Sequence, residues 1–576
     1  MSIYRCGGLA CCLALLAAPA LAATLHVPSG YSTIQAALDA AQDGDEIVVS
    51  DGWYSADGDK NLDFLGKAVT LRSASADPVA CTIYIYGSGR GFWFHNGESP
   101  AARVDGFTVS GGYCSGVEAW GAGILCTNGS SPTISNCVLE DCGTHGSYGA
   151  PTGGGGIACR DASHPSLLNC TIDQCEAYEG YGGGVLCDGG SSPTFTGCTI
   201  CNCTASGSVL AQYVTSGGVV CLNGSSITLT DCVIENNSAD YGAGGLACCS
   251  SGASLRGCTI TGNQGHYAGG VYCDHSSPTL HDCTFAENAG WCASGMFCDW
   301  YSYPEVTACR LTAGMPANGS DFPFPPAIVC RAASSVTLAS CLIDDAGSLW
   351  AQCYGATMAR NCTFMGTVVS SYSSTALLQS SIFWPAAVRV YSLADFPGQM
   401  SLSYCDVQGG EAAVQVDPGS VLSWGAGNID ADPDFVSPAG PDGDPATWQD
   451  NDYHLSAGSP CIDTGVPGFT PQTGETDIDG QYRVWQADVG LSGRVDMGAD
   501  EFAAPAFGDL NCDGGIDGYD IDPFVLALTD PVAYSAEYPL CGTILADLNA
   551  DGAVNGYDID PFVSRLTSGQ ADGGRD

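Results

Sequence analysis

Eight times between residues 126 and 341 the chain repeats a pair of cysteines at an almost fixed spacing. The first members are Cys126, Cys159, Cys187, Cys221, Cys248, Cys273, Cys298 and Cys330. The second are Cys137, Cys170, Cys198, Cys232, Cys258, Cys283, Cys309 and Cys341. Within a pair the separation is 10 or 11 residues, whereas the gap to the next pair ranges from 15 to 23. Stacked strands joined by tight bends need one half of a repeat fixed in length, and a surface loop lets the other half vary. Repeats of 25 to 34 residues, punctuated by Gly183-Gly184, Gly244-Gly245 and Gly269-Gly270 and lacking a helical period, predict the coils of a parallel β-solenoid. Such coils bury no core alone, so the core is the stack itself.

In that arrangement the cysteines form internal columns, as small buried side chains or as pairs between neighbouring coils. A third column follows five residues after the first six of the second cysteines: Cys142, Cys175, Cys203, then Asn237, Asn263 and Asn288. An inward Asn at a bend bonds to backbone groups and to the Asn above it, and tolerates left-handed φ.

Charge narrows the partners. With 62 acidic and 16 basic residues the net charge is -46, which excludes a nucleic-acid or anionic-membrane surface. Arg5, the apolar stretch from Leu9 to Ala18 and the small residues Ala20-Leu21-Ala22 predict a secretory signal peptide over residues 1–22. No other apolar run is long enough to span a bilayer. The expected location is therefore secreted, extracellular or cell-surface, where disulfides are permitted.

The pattern Gly-Gly-x-x-Cys followed by Pro-x-x-x-x-Cys-x-Ile/Phe-x-x-Asn resembles right-handed parallel β-helix proteins of the pectin-lyase-like superfamily. The stretch from Val27 to Ala41, followed by Asp43-Gly44-Asp45-Glu46-Ile47-Val48-Val49, is similar to the way such proteins begin. Ser32 and Gln35 read as a capping box, and Ile34, Ala37, Leu38 and Ala41 as one apolar helix face that covers the open end of the rod. The expected fold class is all-β, with an N-terminal capping helix and a β-helix over 23–427. Residues 428–502 hold 15 acidic residues and, as basic ones, Arg483 and Arg494. They resemble the segment that follows such rods in surface proteins and are expected to close the C-terminal end. Their Asp clusters read either as calcium ligands or as solvated loops.

After a linker at 503–507, two segments repeat 38 residues apart, one from Asp509 to Asp520 and one from Asp547 to Asp558. Loop positions 1, 3, 5, 9 and 12 carry oxygen side chains and position 6 is Gly, an EF-hand-like calcium loop. The apolar positions Ile521, Phe524, Val525, Leu528 and Ile559, Phe562, Val563, Leu566 follow at helical spacing. Paired loop-helix units with Asp at position 12 resemble a type I dockerin, here over 508–568, with a tail at 569–576. That resemblance implies two Ca²⁺ ions. Their ligands are Asp509, Asn511, Asp513, the Gly515 carbonyl, Asp517 and Asp520, then Asp547, Asn549, Asp551, the Ala553 carbonyl, Asn555 and Asp558. It also implies a cohesin-like module or cell-surface scaffold as partner. Gly518-Tyr519 and Gly556-Tyr557 replace the hydroxyl pairs of well-known dockerins, which leaves the partner open. Cys512 and Cys541 are this module's cysteines and are expected to pair.

Catalytic residues are not identifiable from sequence. Asp188, Asp274 and Asp299 each follow a first-column cysteine, and Asp274 and Asp299 are expected on adjacent coils. Arg160, Arg256, Arg310 and Arg331 do not read as sharing one coil register. Trp120, Tyr181, Tyr241, Tyr267 and Trp291 recur just before the first apolar segment of their repeats. They are either a platform for sugar rings or a shield for the turns. His145, Tyr148 and Tyr178 lie nearby. Three expectations follow: a polysaccharide-contacting β-helix anchored through the calcium module, a polysaccharide lyase or glycoside hydrolase, or a purely structural surface solenoid.

Overall fold

The computed structural model describes residues 22–568 except 118, 147–151, 207–214, 313, 317–325, 345–348, 352–353, 371–372, 394–395, 445–449, 472–474, 481–482, 484–493, 503–506, 512–515, 539–542 and 550–552. Among these, three parallel sheets of 13, 16 and 14 strands run along a rod, and a fourth of 8 strands accompanies them from Tyr113 to Pro316. One coil passes through all four in turn. Ile124–Cys126 lies in sheet I, Thr133–Ser135 in sheet II, Val138–Glu140 in sheet III and Gly143–His145 in sheet IV. Ile157–Cys159 then returns to sheet I, directly beside Ile124–Cys126.

The first cysteine column is aligned in register. Cys126 pairs with Cys159, Cys159 with Cys187, Cys187 with Cys221, and so on to Cys298 with Cys330. All of these thiols are buried in one continuous interior. None of the 27 described cysteines is bridged. Instead, second-column thiols donate to carbonyls of the preceding coil: Cys198 to Leu167, Cys232 to Phe195 and Cys258 to Leu229, at 3.6, 3.6 and 3.4 Å. A thiol therefore fills a small space and caps a bend carbonyl at once. Burial pushes the Cys405 thiol up to about 12, so a nucleophilic thiolate does not form there at neutral pH.

The third column does the same work with a stronger donor. Cys175 and Cys203 donate to Leu139 O and Ile172 O at 3.5 and 3.6 Å. Asn237, Asn263 and Asn288 donate to Ile200 O, Ile234 O and Ile260 O at 2.9, 2.8 and 2.7 Å. The amides also form a ladder, with Asn237 Nδ2 3.0 Å from Asn263 Oδ1 and Asn263 Nδ2 3.0 Å from Asn288 Oδ1. The left-handed residue is not the inward Asn. It is the one before it, as at Asn202 (φ 52), Asn236 (φ 55) and Gly262 (φ 63). One αL residue turns the chain, and the next side chain points inward to satisfy the backbone that the turn exposes.

The paired glycines answer to space, not conformation. A Cβ on Gly245 would lie 2.7 Å from Gly270 O, and one on Gly270 2.6 Å from Gly295 O. Neighbouring coils approach backbone to backbone here, which a side chain would block.

A helix at Ile34–Ala40 joins the first coil, burying Ile34, Ala37 and Leu38. Its cap differs from the sequence reading. Thr33, not Ser32, accepts the Ala36 N–H. Gln35 bonds to the Asp63 backbone in both directions, at 2.9 and 3.0 Å. The rod's own contact outcompetes the local capping box.

At the far end, residues 428–502 pack on the last coils. Arg483 is fully buried and donates to Ser340 Oγ, Asn361 O, Gly498 O and Ala499 O at 2.9, 2.9, 2.7 and 2.8 Å. One guanidinium thus ties the segment to two coils. A second tie runs through Asp406, fully buried, which accepts from Ala431 N at 3.1 Å and Cys461 Sγ at 3.3 Å. Burial raises its carboxyl from the usual range to about 6. The folded state therefore binds this proton more tightly than the unfolded chain. Stability from it is present below about pH 4 and lost as pH rises through about 6, on the order of 2 kcal/mol. Thermal melts at pH 4 and pH 7 should show that drop in the wild type, and Asp406→Asn should reduce it.

Candidate functional site

Residues of the sheet I strands alternate between the interior and the outer face. The outward set, Leu125, Ala158, Leu186, Val220, Ala247, Tyr272, Phe297 and Val329, is nevertheless buried. The loop segments before each sheet I strand lie over it. They stack on one another through bridges such as Trp120 to Gly153 and Ala243 to Ala268 to Ala293. The rod therefore has a second, thinner apolar layer on this side.

That layer divides the five aromatic residues singled out in the sequence. Trp120 is buried, with the Arg160 guanidinium 4.1 Å from its ring centroid. Tyr267 is half-buried and stacks on Tyr272 and Phe297 at 5.5 and 6.0 Å. Tyr181 is half-buried too, and burial raises its phenol pKa. Trp291 differs: it is 44 % exposed and stacks face to face on His266 at 4.9 Å. Tyr241 adds its ring 6.0 Å from the other side of that imidazole. Tyr241, His266 and Trp291 come from three successive coils.

A second ring stack stands on the outer face of sheet IV. Tyr113, His145 and Tyr178 lie on three earlier successive coils. His145 stacks on Tyr178 at 4.1 Å and tilts against Tyr113 at 6.4 Å. Tyr113 and Tyr178 are 42 % and 41 % exposed. Tyr148 lies outside the described residues. His266 and Tyr113 were not legible as members, because neither belongs to the periodic aromatic positions.

The acidic column is present, and two of its three aspartates pair with arginine. Asp274 and Asp299 are register partners on adjacent strands. The arginine reading is corrected: Arg160 and Arg331 occupy this same column, each directly after a first-column cysteine. Arg160 meets Asp188 at 3.4 Å and Arg331 meets Asp299 at 2.7 Å. Asp274 contacts His275 at 2.5 Å. Arg256 and Arg310 do stand apart, in sheets II and III. Arginines at the two ends of the column thus engage Asp188 and Asp299, while Asp274 meets the His275 imidazole.

In the C-terminal module the two loops repeat one geometry. Asp520 Oδ2 accepts the Asp517 N–H at 2.8 Å, and Asp558 Oδ2 accepts the Asn555 N–H at 2.8 Å. Their other oxygens accept from Asn511 N and Asn549 N, each at 3.1 Å. Asp517 and Asn555 each accept the backbone N–H two residues on. Asp509, Asp520, Asp547 and Asp558 are all buried. Residues 507–568 contain 11 acidic residues and one basic residue, Arg565, whose Nη1 donates to Phe507 O at 2.6 Å. Four buried carboxylates with so little basic charge fit a hard divalent cation in each loop. Asp513, Gly515 and Asp551, and the cysteines Cys512 and Cys541, lie outside the described residues.

The helices Ile521–Thr529 and Ile559–Ser568 pack through Phe524 and Phe562, stacked at 4.1 Å. The apolar faces expected from sequence split here. Ile521, Val525, Ile559 and Val563 are exposed, as are Tyr519 and Tyr557. Each loop-helix unit thus presents a Tyr-Ile-Val strip to solvent. Among the described residues no helix is long and apolar enough to cross a membrane.

No curated protein matches the sequence. Among solved structures the chain is similar to pectate lyase Pel9A, at 13% identity over 84% of this chain and 96% of that one, with a TM-score of 0.34. It is also similar to the catalytic domain of a GH87 alpha-1,3-glucanase, at 12% identity over 72% and 70% with a TM-score of 0.26. A PL6 family alginate lyase, AlyGC, follows at 9% identity over 71% and 81%, with a TM-score of 0.20. The sequence profile of the right handed beta helix region matches residues 67–246 and 211–384. With aligned coils, inward thiol and amide columns and a profile match over more than half its length, the chain belongs to the right handed beta helix family.

Proposed function

We propose that this chain is an extracellular β-helix that holds neutral polysaccharide along its flank and is anchored through a calcium-dependent, dockerin-like C-terminal module. The observation that carries the first half is the pair of ring stacks, the exposed Tyr113-His145-Tyr178 and the half-buried Tyr241-His266 ending in the exposed Trp291. Rings stacked along the rod at the coil spacing of about 4.8 Å turn a row of edges outward, with the outer faces of the end rings, as an apolar track for successive sugar units. The net charge of -46 disfavours a polyanionic glycan at the same surface. The second half rests on the buried, cation-poor carboxylates of the two loops and on the twin strips of Tyr519, Ile521 and Val525 and of Tyr557, Ile559 and Val563. Exposed apolar strips of this kind fit a protein partner.

A glycan array with the calcium-loaded full chain, followed by a product-release assay on each hit, tests the reading. Binding of a neutral glycan without product is expected. Tyr178→Ala combined with Trp291→Ala should weaken it about tenfold or more, at roughly 1–3 kcal/mol per lost ring contact, without lowering the melting temperature. Steady product release would instead make the protein an enzyme. Unchanged binding in the double variant would remove the ring stacks from the site.

A further inference from the structure

Three side chains distant in sequence converge in the closing segment: His454, Asp479 and Asp500. Their ligand atoms all lie within 4.8 Å of one another. His454 sits on the strand Asp452–Leu455, which pairs antiparallel with Phe435–Ser437. Asp452 Oδ1 stands 2.5 Å from His454 Nδ1, and Asp479 Oδ2 stands 2.5 Å from Nε2. Each ring nitrogen thus faces a carboxylate at hydrogen-bond distance, so the metal-free imidazole holds a proton on Nε2 that a bound cation would displace, while Asp452 fixes the ring through Nδ1. Three carboxylates, Asp452, Asp479 and Asp500, share that single positive charge.

Asp500 gives a second, separate observation. It is only 6 % exposed. One of its oxygens accepts the Leu455 N–H at 2.8 Å, and no described residue donates a hydrogen bond to the other. The side chain lines a cavity of about 80 Å³, together with His454, Asp479, Tyr453 and Arg310. Arg310 does not supply the missing charge to Asp500, because it is committed to Asp344 at 3.1 Å. His454 and Asp479 remain partly exposed, so the cavity can be reached from solvent.

We propose that His454, Asp479 and Asp500 form a divalent transition-metal site, with Asp452 as its positioning residue. One imidazole nitrogen and two carboxylate oxygens suit Zn²⁺, and three protein ligands leave a position open to water. The ion joins the strand at residue 454 to two turns, at 479 and 500, which the Ile478 N–H already ties to each other through Ala499 O at 3.2 Å. It is a clasp for the end of the rod, independent of the glycan reading and of the calcium loops.

The test uses the full chain with its calcium loops saturated, titrated with Zn²⁺. One equivalent is expected to bind and to raise the melting temperature of the closing segment. His454→Gln and Asp500→Asn should each abolish that equivalent, and Asp452→Asn should weaken it about 10- to 100-fold. Co²⁺ in place of Zn²⁺ should give a visible absorption band in the wild type, a readout that needs no variant to fold. His454→Lys separates the clasp from a plain ion pair, since it keeps positive charge but removes the imidazole ligand. If that variant without zinc matches the melting temperature of zinc-loaded wild type, the cluster is an ion pair and the proposal fails. It fails equally if no zinc binds, if calcium alone binds there, or if the equivalent survives in His454→Gln.

Discussion

Asn263→Ala is expected to destabilise the rod by about 4 kcal/mol, a very large effect for one polar residue. The side chain is fully buried. It accepts from Asn237 N and Asn237 Nδ2, each at 3.0 Å, and donates to Ile234 O and Asn288 Oδ1. Truncation leaves at least Asn237 N and Ile234 O buried without a partner, at roughly 1–3 kcal/mol each, with no water to replace the amide. Asn263→Cys should cost about half as much. Cys203 already occupies the equivalent place two coils earlier, and in the second column Cys198 Sγ accepts the Cys170 N–H at 3.4 Å, so a thiol in such a bend can also accept. Denaturant melts would measure both, and amide exchange at Asn237 would locate the loss. Equal destabilisation by Ala and Cys would deny the column its hydrogen-bonding role.

Chelation of calcium is expected to unfold the C-terminal module while the rod keeps its structure. The module is small, and its apolar core rests on a few side chains such as Leu510, Phe524, Tyr534 and Phe562. Burial raises the Tyr534 phenol to about 12, with Asp509 and Asp520 adding to the shift. Without a cation, the buried carboxylates repel one another in a low-dielectric setting. At a calcium concentration about 1,000 times the dissociation constant, each ion contributes about 4 kcal/mol. That is comparable to all the stability a core this small supplies. Loss of helical circular dichroism on adding chelator, with the sheet signal unchanged, is the expected readout. Asp520→Ala with Asp558→Ala should reproduce it even in excess calcium. A module that stays helical without the metal would refute the calcium assignment.

The rod was legible because its cysteines report register directly: two inward positions per coil, with the variable loop excluded from the count. The N-cap was misplaced by one residue because Asp63 lies on another part of the first coil, beyond the reach of local patterning. The aromatic positions were found, but periodicity cannot say which side of a loop a ring occupies. Trp120 and Tyr267 turn in against sheet I, and Trp291 turns out. Arg160 and Arg331 escaped notice as column members although the same cysteine spacing contains them. Charge of opposite sign hid a shared register. His454, Asp479 and Asp500 are 25 and 21 residues apart with no repeat to connect them, so their meeting depends on how the closing segment folds back.

The single left-handed residue at each bend sets how this architecture can change in length. In the coils that carry the amide ladder each such turn is made by its own residue and satisfied by the coil beside it. The repeats from Cys248 to Cys273 and from Cys273 to Cys298 are each 25 residues, and they carry the amide ladder without interruption. Duplicating or excising one such unit leaves every junction chemically identical to one that already exists. Such rods can therefore grow or shrink by whole rungs of about 4.8 Å, changing the distance between their two closed ends without redesigning either one.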